Sequence, residues 1–425
     1  MDNFKNLRSL ADKIKTGDTS LGGNLSESKY PGNMNTVNDH HPIWAEIDLD
    51  AITHNLKAVR QLVGSRTKIM SVVKADAYGH GALKIAHRIS ETGVDAFGVA
   101  RLCEGIALRK SGLQQPILVF GYTPPGAARE IIDNDLMQTV FSTSYAVSLD
   151  DHARAANGRI KTHLKIDTGM GRLGLVPAQL NGDYNDSETG KDSVSKSATS
   201  ISQLANLEIE GAYTHLASSD TIDKTSARKQ LVLFQEVVSQ LKANGIEIPV
   251  MHAANSGAII NLPESHFDIV RPGIMLYGLY PSAETKSHKI ELQPAMQLKA
   301  RVAQVKNVSR GFTVSYAHTY ITPCATRLAT VPVGYADGYN RQFSSSGVML
   351  VRGQRAPVVG RVCMDQTIID VGHIQGVRGG DEVVIIGKQG DAVLSADEMA
   401  LQLGTINYEV VASLLARVPR VYLGS

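Results

Sequence analysis

Trp44-Ala45-Glu46-Ile47-Asp48-Leu49 alternates apolar and polar side chains, the two-residue period of a strand. Directly after it, Ile52, Leu56, Val59 and Val63 recur at spacings of four, three and four. That period predicts a helix, with Asp50 as its N-cap and Gly64 as its stop. Further on, short apolar runs alternate with amphipathic stretches. Runs near 68–73, 95–100, 116–120, 138–142, 161–166, 209–214, 248–252 and 268–270 read as strands, and stretches such as 81–92 and 223–244 as helices. Eight strands mostly separated by helices predict an α/β fold whose parallel sheet closes into a (β/α)8 TIM-type barrel. An open doubly wound sheet is the competing architecture. It usually carries a Gly-rich fingerprint after its first strand, and none follows Val73.

After about residue 292 the texture changes. Runs at 299–306, 328–334, 347–352, 356–363, 366–371 and 382–387 recur without intervening helices and are punctuated by Gly and Pro. They predict a mainly β domain with one late helix near 395–403. The chain is therefore divided into an arm (1–41), a barrel (42–292) and a β domain (293–425). The strand at 44–49 is expected to leave the barrel and join the β domain. In the arm, Phe4, Leu7, Leu10 and Ile14 have helical spacing, and Gly17 to His41 reads as flexible. The polar insertion 181–200 reads as a long exposed loop.

Composition narrows the function classes. The 425 residues are 43% hydrophobic and 20% charged, with a formal net charge of +2. Enough apolar material is present to bury a core, and nothing calls for a nucleic acid or an anionic membrane as partner. Small molecules are the expected ligands. Cys103, Cys324 and Cys363 form no CxxC pair and no zinc spacing, and are expected to be buried free thiols. No metal site is expected. With neither a secretory h-region nor a membrane-length apolar run, the expected location is cytoplasmic.

In a TIM barrel, chemistry sits at the C-terminal strand ends. Lys74 directly follows the apolar run ending at Val73, with Tyr78 soon after. On position alone it is either a surface charge or a buried amine suited to imine chemistry. Later strand ends supply Lys165, then Arg172, His215, Ser256 and Arg271. That set is cationic and rich in hydrogen-bond donors. It suits an anion bearing phosphate and carboxylate groups, with Gly257 and Gly273 letting backbone N–H groups approach closely. A lysine beside a phosphate site points to pyridoxal phosphate.

At Val73-Lys74-Ala75-Asp76-Ala77-Tyr78-Gly79-His80-Gly81 the chain resembles the alanine racemases. The resemblance runs from Trp44 to Tyr422. It includes Lys165 to Gly174, Arg271 to Gly278, Val314-Ser315-Tyr316, Gly334 to Tyr339, Gly360 to Gln366 and Thr405 to Glu409. All of these motifs in one order are highly specific. The resemblance implies a barrel followed by a β domain in a head-to-tail homodimer, interconverting L- and D-alanine with pyridoxal 5'-phosphate and supplying D-alanine for peptidoglycan. It implies that Lys74 carries the cofactor and acts as one base, with Tyr316 of the partner as the opposite base. Tyr78, Ser256, Gly273, Ile274 and Tyr408 would hold the phosphate. Arg271 would face the pyridine nitrogen, supported by His215. Arg172 would meet the cofactor's phenolic oxygen and the substrate carboxylate, oriented by a carbamylated Lys165. Met364 from the partner would also meet the carboxylate. Tyr335, Arg341, Arg361, Asp220 and Asp365 would line the access corridor.

Several residues read as structural. Asp76 and His80 are taken as local caps, Tyr277 and Tyr339 as packing residues, and His40 and His41 as loop residues. His318, two positions after Tyr316, departs from the small or polar residue expected there and puts the corridor's local shape in question. The competing readings are a broad-specificity or serine racemase, a barrel-fold decarboxylase with the same cofactor, and a non-catalytic cofactor-binding barrel. The decarboxylases use a cysteine motif where Ser315-Tyr316 stands here. The non-catalytic proteins resemble a single barrel and lack the β domain after 292.

Overall fold

The computed structural model describes residues 41–181, 193–286 and 290–424. The predicted stripe Phe4 to Ile14, most of the Gly17 to His41 stretch, and His40 lie outside them.

Strand β1 (Ile43–Asp48) leads into the helix Leu49–Val63. The helix stops at Gly64 as predicted, but its N-cap is Asp48. The Asp48 Oδ1 accepts the N–H groups of Asp50 and Ala51, both at 2.9 Å. The strand delivers Asp48 at the helix mouth two residues earlier than the apolar period implied.

The barrel strands are β2 (Lys68–Val72), β3 (Ala96–Val99), β4 (Ile117–Val119), β5 (Met137–Val140), β6 (Ile160–Lys165), β7 (Leu207–Tyr213), β8 (Val250–His252) and β9 (Ile269–Val270). They pair in parallel in sequence order, and β9 pairs β2. At the β8–β9 seam, single backbone bonds run from Asp268 N–H to Met251 O and from Arg271 N–H to Ala254 O. Met70, Ala96, Leu118, Met137 and Ile269 form a buried cluster, one residue from each of five strands. The larger apolar set joins the strands' other faces to the helices. All eight predicted barrel strands are present.

The expectation for the first strand is met. β1 runs antiparallel to Met296–Arg301 and parallel to Arg420–Leu423, inside a seven-stranded sheet of the β domain. The predicted strand 299–306 is in fact two, Met296–Arg301 and Gln304–Val308. At the break, Val302 N–H bonds to Asp381 O and Ala303 N–H to Thr330 O, so the chain passes from one sheet to another. The predicted strand 356–363 is also shorter, being regular only over Gln354–Pro357. The late helix lies at Ala396–Leu403, and a second helix, Asn407–Ala412, went unpredicted.

Two further expectations are corrected. Of the insertion read as a loop, residues 193–200 belong to the helix Ser193–Ser202, with Val194, Ala198 and Ile201 buried, while 182–192 lie outside the described residues. Three well-placed apolar residues suffice there, although serines dilute the pattern. The cysteines are free, as expected, but Cys103 and Cys324 are exposed and Cys363 is half-buried. No helix among the described residues is long and apolar enough to cross a membrane.

Candidate active site

Lys74 follows β2 and opens an unusual turn. Ala75, Asp76, Ala77 and Tyr78 have φ values of 53°, 53°, 53° and 54°, a full left-handed turn built without glycine. Such a conformation costs roughly 1–2 kcal/mol per L-residue and persists only when its surroundings fix it. Here they do. Ala77 N–H bonds to Val73 O at 2.9 Å and Gly79 N–H to Ala75 O at 3.0 Å. The buried His80 lies with Nδ1 3.1 and 3.0 Å from the carbonyls of Ala77 and Tyr78. The carbonyls only accept, so Nδ1 carries the proton. Asp76 Oδ1 accepts from Ala82 N–H at 2.7 Å, capping the next helix as expected. Arg420, from the last strand, donates Nε–H to Gly79 O at 3.0 Å. A β-carbon on Gly79 would sit 2.2 Å from Val411 O, so glycine is required where the β domain meets the turn.

This turn points Lys74 and Tyr78 into a cleft of about 840 Å³ at the barrel mouth. Lys165, Arg172, His215, Ser256, Arg271, Gly273, Ile274 and Tyr408 line the same cleft. The unpredicted helix Asn407–Ala412 delivers Tyr408, whose ring centroid is 6.1 Å from that of Tyr78. A β-carbon at Gly273 would lie 2.6 Å from the Tyr78 hydroxyl oxygen and 3.8 Å from Ser256 Oγ. These hydroxyls therefore converge on bare backbone, a cradle that suits an anion and that a side chain would fill.

Asp167 shapes the loop carrying Arg172. Its Oδ1 accepts from the N–H groups of Gly169, Met170 and Gly171 at 3.0, 2.8 and 3.1 Å, and its Oδ2 from Arg172 N–H at 3.1 Å. Burial alone would raise this carboxyl, but the backbone donors and the Lys165 charge outweigh it and hold it below the usual range.

Under the cleft lies Arg271, only 4% exposed. It donates to Thr214 O at 2.9 Å, Ala253 O at 3.0 Å and His252 Nδ1 at 2.8 Å, with His215 Nδ1 at 3.4 Å. Burial pushes the guanidinium down to about 10, so it stays charged near neutrality. Burial and the Arg271 charge together hold His215 and His252 well below the ordinary imidazole value. Burial and the Arg172 charge lower Lys74, against the pull of Glu104. Burial, then Arg271, hold Lys165 well below the ordinary amine value. The cleft thus combines amines ready to act as nucleophile or base with a permanent cation at its floor.

Other predicted residues stand elsewhere. Tyr316 and Met364 are 70% and 53% exposed and do not line the cleft within one chain. Tyr335, Arg341, Arg361 and Asp365 do not line it either. Asp220 lies beside it, its Cβ 3.1 Å from where a Gly257 β-carbon would sit. The sequence reading missed Tyr213, which lines the cleft, and the buried pair His163 and His252. His163 stands two residues before Lys165 on β6, so strand alternation puts both on one face. That parity was the available signal.

Residues 47–281 match the family model for the alanine racemase N-terminal domain, and residues 295–422 that for the C-terminal domain. The chain belongs to the alanine racemase family. The alanine racemase of Desulfosudis oleivorans is 50% identical over 382 residues, covering 89% of this chain and 96% of that protein. Among solved structures, the alanine racemase of Clostridium difficile 630 superposes with a TM-score of 0.83 at 38% identity, over 91% of this chain and 96% of the other. That of Bacillus anthracis with bound L-Ala-P gives 0.84 at 36%, with the same coverage. Alanine racemases are isomerases, and the barrel and mainly β domain of this member are those of the family.

Proposed function

We propose that this chain interconverts L- and D-alanine in a head-to-tail homodimer, with pyridoxal phosphate held by Lys74. The observation that carries the reading is the convergence on one cleft of a lysine amine lowered by burial, a hydroxyl-lined cradle at Gly273 and the buried cation Arg271. The residues fit the cofactor. Tyr78, Ser256, Tyr408 and the backbone of Gly273 and Ile274 would take its phosphate, and Lys74 its aldehyde carbon. Arg271 would face its pyridine nitrogen, supported by His215. When bound, the cofactor draws electron density away from the substrate's Cα and so acidifies the Cα–H bond.

Everything else falls to the chain itself. Racemisation removes the Cα proton from one face and returns a proton to the other. Lys74, with its lowered proton affinity, serves one face, and Tyr316 of the partner serves the opposite face. Arg172 holds the substrate carboxylate, joined by the backbone N–H of the partner's Met364. Tyr335, Arg341, Arg361, Asp220 and Asp365 form the access corridor in the assembled dimer. The exposure of Tyr316 and Met364 supports a site completed by a second subunit, because both stand on the outer surface of one chain. A guanidinium at the pyridine nitrogen has no proton to spare at neutral pH. Arg271, charged at neutral pH, would therefore leave that nitrogen without a proton of its own. The D-alanine so made would serve peptidoglycan synthesis in the cytoplasm.

The test is purified protein with L-alanine in deuterium oxide. Optical rotation should decay to zero while deuterium enters Cα. Retention of both rotation and Cα–H would overturn the reading.

A further inference from the structure

Glu104 is the third residue of the helix Leu102–Lys110. One of its oxygens, Oε2, accepts from the N–H groups of Ala100 at 2.8 Å and Arg101 at 3.0 Å, as an acid in the first helical turn commonly does. The other oxygen, Oε1, accepts from the N–H of Ala75 at 2.7 Å, 29 residues earlier in the chain. Ala75 follows Lys74 and is the first residue of the left-handed turn. We propose that Glu104 is a positioning residue for Lys74, its carboxylate clamping the strained turn to the end of β3 so that the amine stays aimed into the cleft. The proposal rests on the reading of Lys74 as the reacting amine.

Two features separate this role from that of a helix cap. A cap needs only the oxygen turned toward Ala100 and Arg101, whereas here the second oxygen ties a different element. The turn also has few ways to satisfy its first N–H, since the left-handed winding directs its internal bonds from Ala77 and Gly79 onward. Glu104 acts on the amine electrostatically as well. Burial and Arg172 lower Lys74, and Glu104 opposes them. Losing the negative charge therefore moves the amine's titration to lower pH.

The test compares full-length wild type, Glu104→Gln, Glu104→Asp and Cys103→Gly. Cys103 is exposed on the same helical turn, so its glycine variant weakens the helix start and leaves the carboxylate in place. Hydrogen–deuterium exchange of the 73–81 segment should quicken roughly tenfold or more in Glu104→Gln, as expected for losing a charge-assisted bond. In Cys103→Gly only the 100–106 segment should quicken. The pH profile for pyridoxal phosphate uptake should shift to lower pH in Glu104→Gln and stay in place in Glu104→Asp, which keeps the charge but is too short to span both elements. If Glu104→Gln changes only the 100–106 segment and leaves the uptake profile unmoved, Glu104 is a helix cap and the proposal fails. Should Glu104→Gln not fold, quickened 73–81 exchange in Glu104→Asp supports the clamp, and its absence overturns it. If Lys74 is not the reacting amine, exchange still responds while the uptake profile does not, which sets that failure apart.

Discussion

Arg271 Nη1 lies 2.8 Å from His252 Nδ1, and this contact fixes the protonation of a buried chain. A guanidinium only donates, so His252 Nδ1 must be bare and its proton must sit on Nε2. That nitrogen is 2.9 Å from His163 Nδ1, which must then accept. Both imidazoles are therefore neutral in the folded protein. Burial first, then Arg271, lowers His163 to about 4, and His252 is held well below its ordinary value. The unfolded chain, with imidazoles near 6.5, takes up protons that the fold refuses. Stability is thus greatest above about pH 6.5 and falls as pH drops below that value. Denaturant unfolding at pH 7, 6 and 5 should show this decline, and a flat profile would contradict the neutral relay.

Lys74→Ala should fold, because the turn is held by backbone bonds and by Glu104, Asp76, His80 and Arg420 rather than by the amine. It should lose the visible absorbance of bound cofactor, and borohydride should no longer attach cofactor to the chain. A covalent adduct persisting in that variant would move the assignment to another lysine, with Lys165, which also lines the cleft, as the candidate.

The barrel was legible because its signal is local. Each apolar run is short, and the helices between keep their period. The cleft residues followed because strand ends face one way. What escaped depends on contacts between distant segments. Ala75-Asp76-Ala77-Tyr78 has the composition of an ordinary helix start, and nothing in it announces a left-handed turn. That conformation is imposed by Glu104, Arg420 and His80. Likewise Tyr408 was assigned through its resemblance to a motif, while the helix that carries it, only six residues long, was too short to leave a period.

Lys165 should carry a carbamate. Its Nζ is buried without a hydrogen-bond partner, 4.7 Å over the Tyr213 ring. Burial, then Arg271, holds the amine well below its ordinary value, which favours the neutral form that adds carbon dioxide. Addition forms an N–C bond, releases one proton and leaves an anion near Arg172 and Arg271, the two cations that lower the amine. With ¹³C-bicarbonate, wild type should show one carbamate carbon resonance that Lys165→Ala lacks. Identical spectra for the two proteins would rule the modification out.

Lys74 lines the cleft of its own chain, whereas Tyr316 is 70% exposed and lies outside that cleft. Tyr316 is also held in an unusual backbone. Ser315, Ala317 and His318 have φ values of 63°, 58° and 51°, and Ser315 Oγ donates to Arg361 O at 2.6 Å. Strain of this kind persists only where the surrounding structure fixes it, and it clusters at functional sites. If Tyr316 serves the partner's cleft, Lys74→Ala and Tyr316→Ala homodimers should each be nearly inactive. Reassorted heterodimers would hold one site lacking both residues and one with neither altered. Random pairing makes about half of the dimers mixed, so activity should recover to roughly a quarter of wild type per chain for independent sites in a two-fold assembly. If both bases came from one chain, every site would stay damaged and mixing would restore nothing. Mass spectrometry must establish that mixed dimers formed, after a step that dissociates the parents. Mixed dimers without recovered activity would refute the shared site.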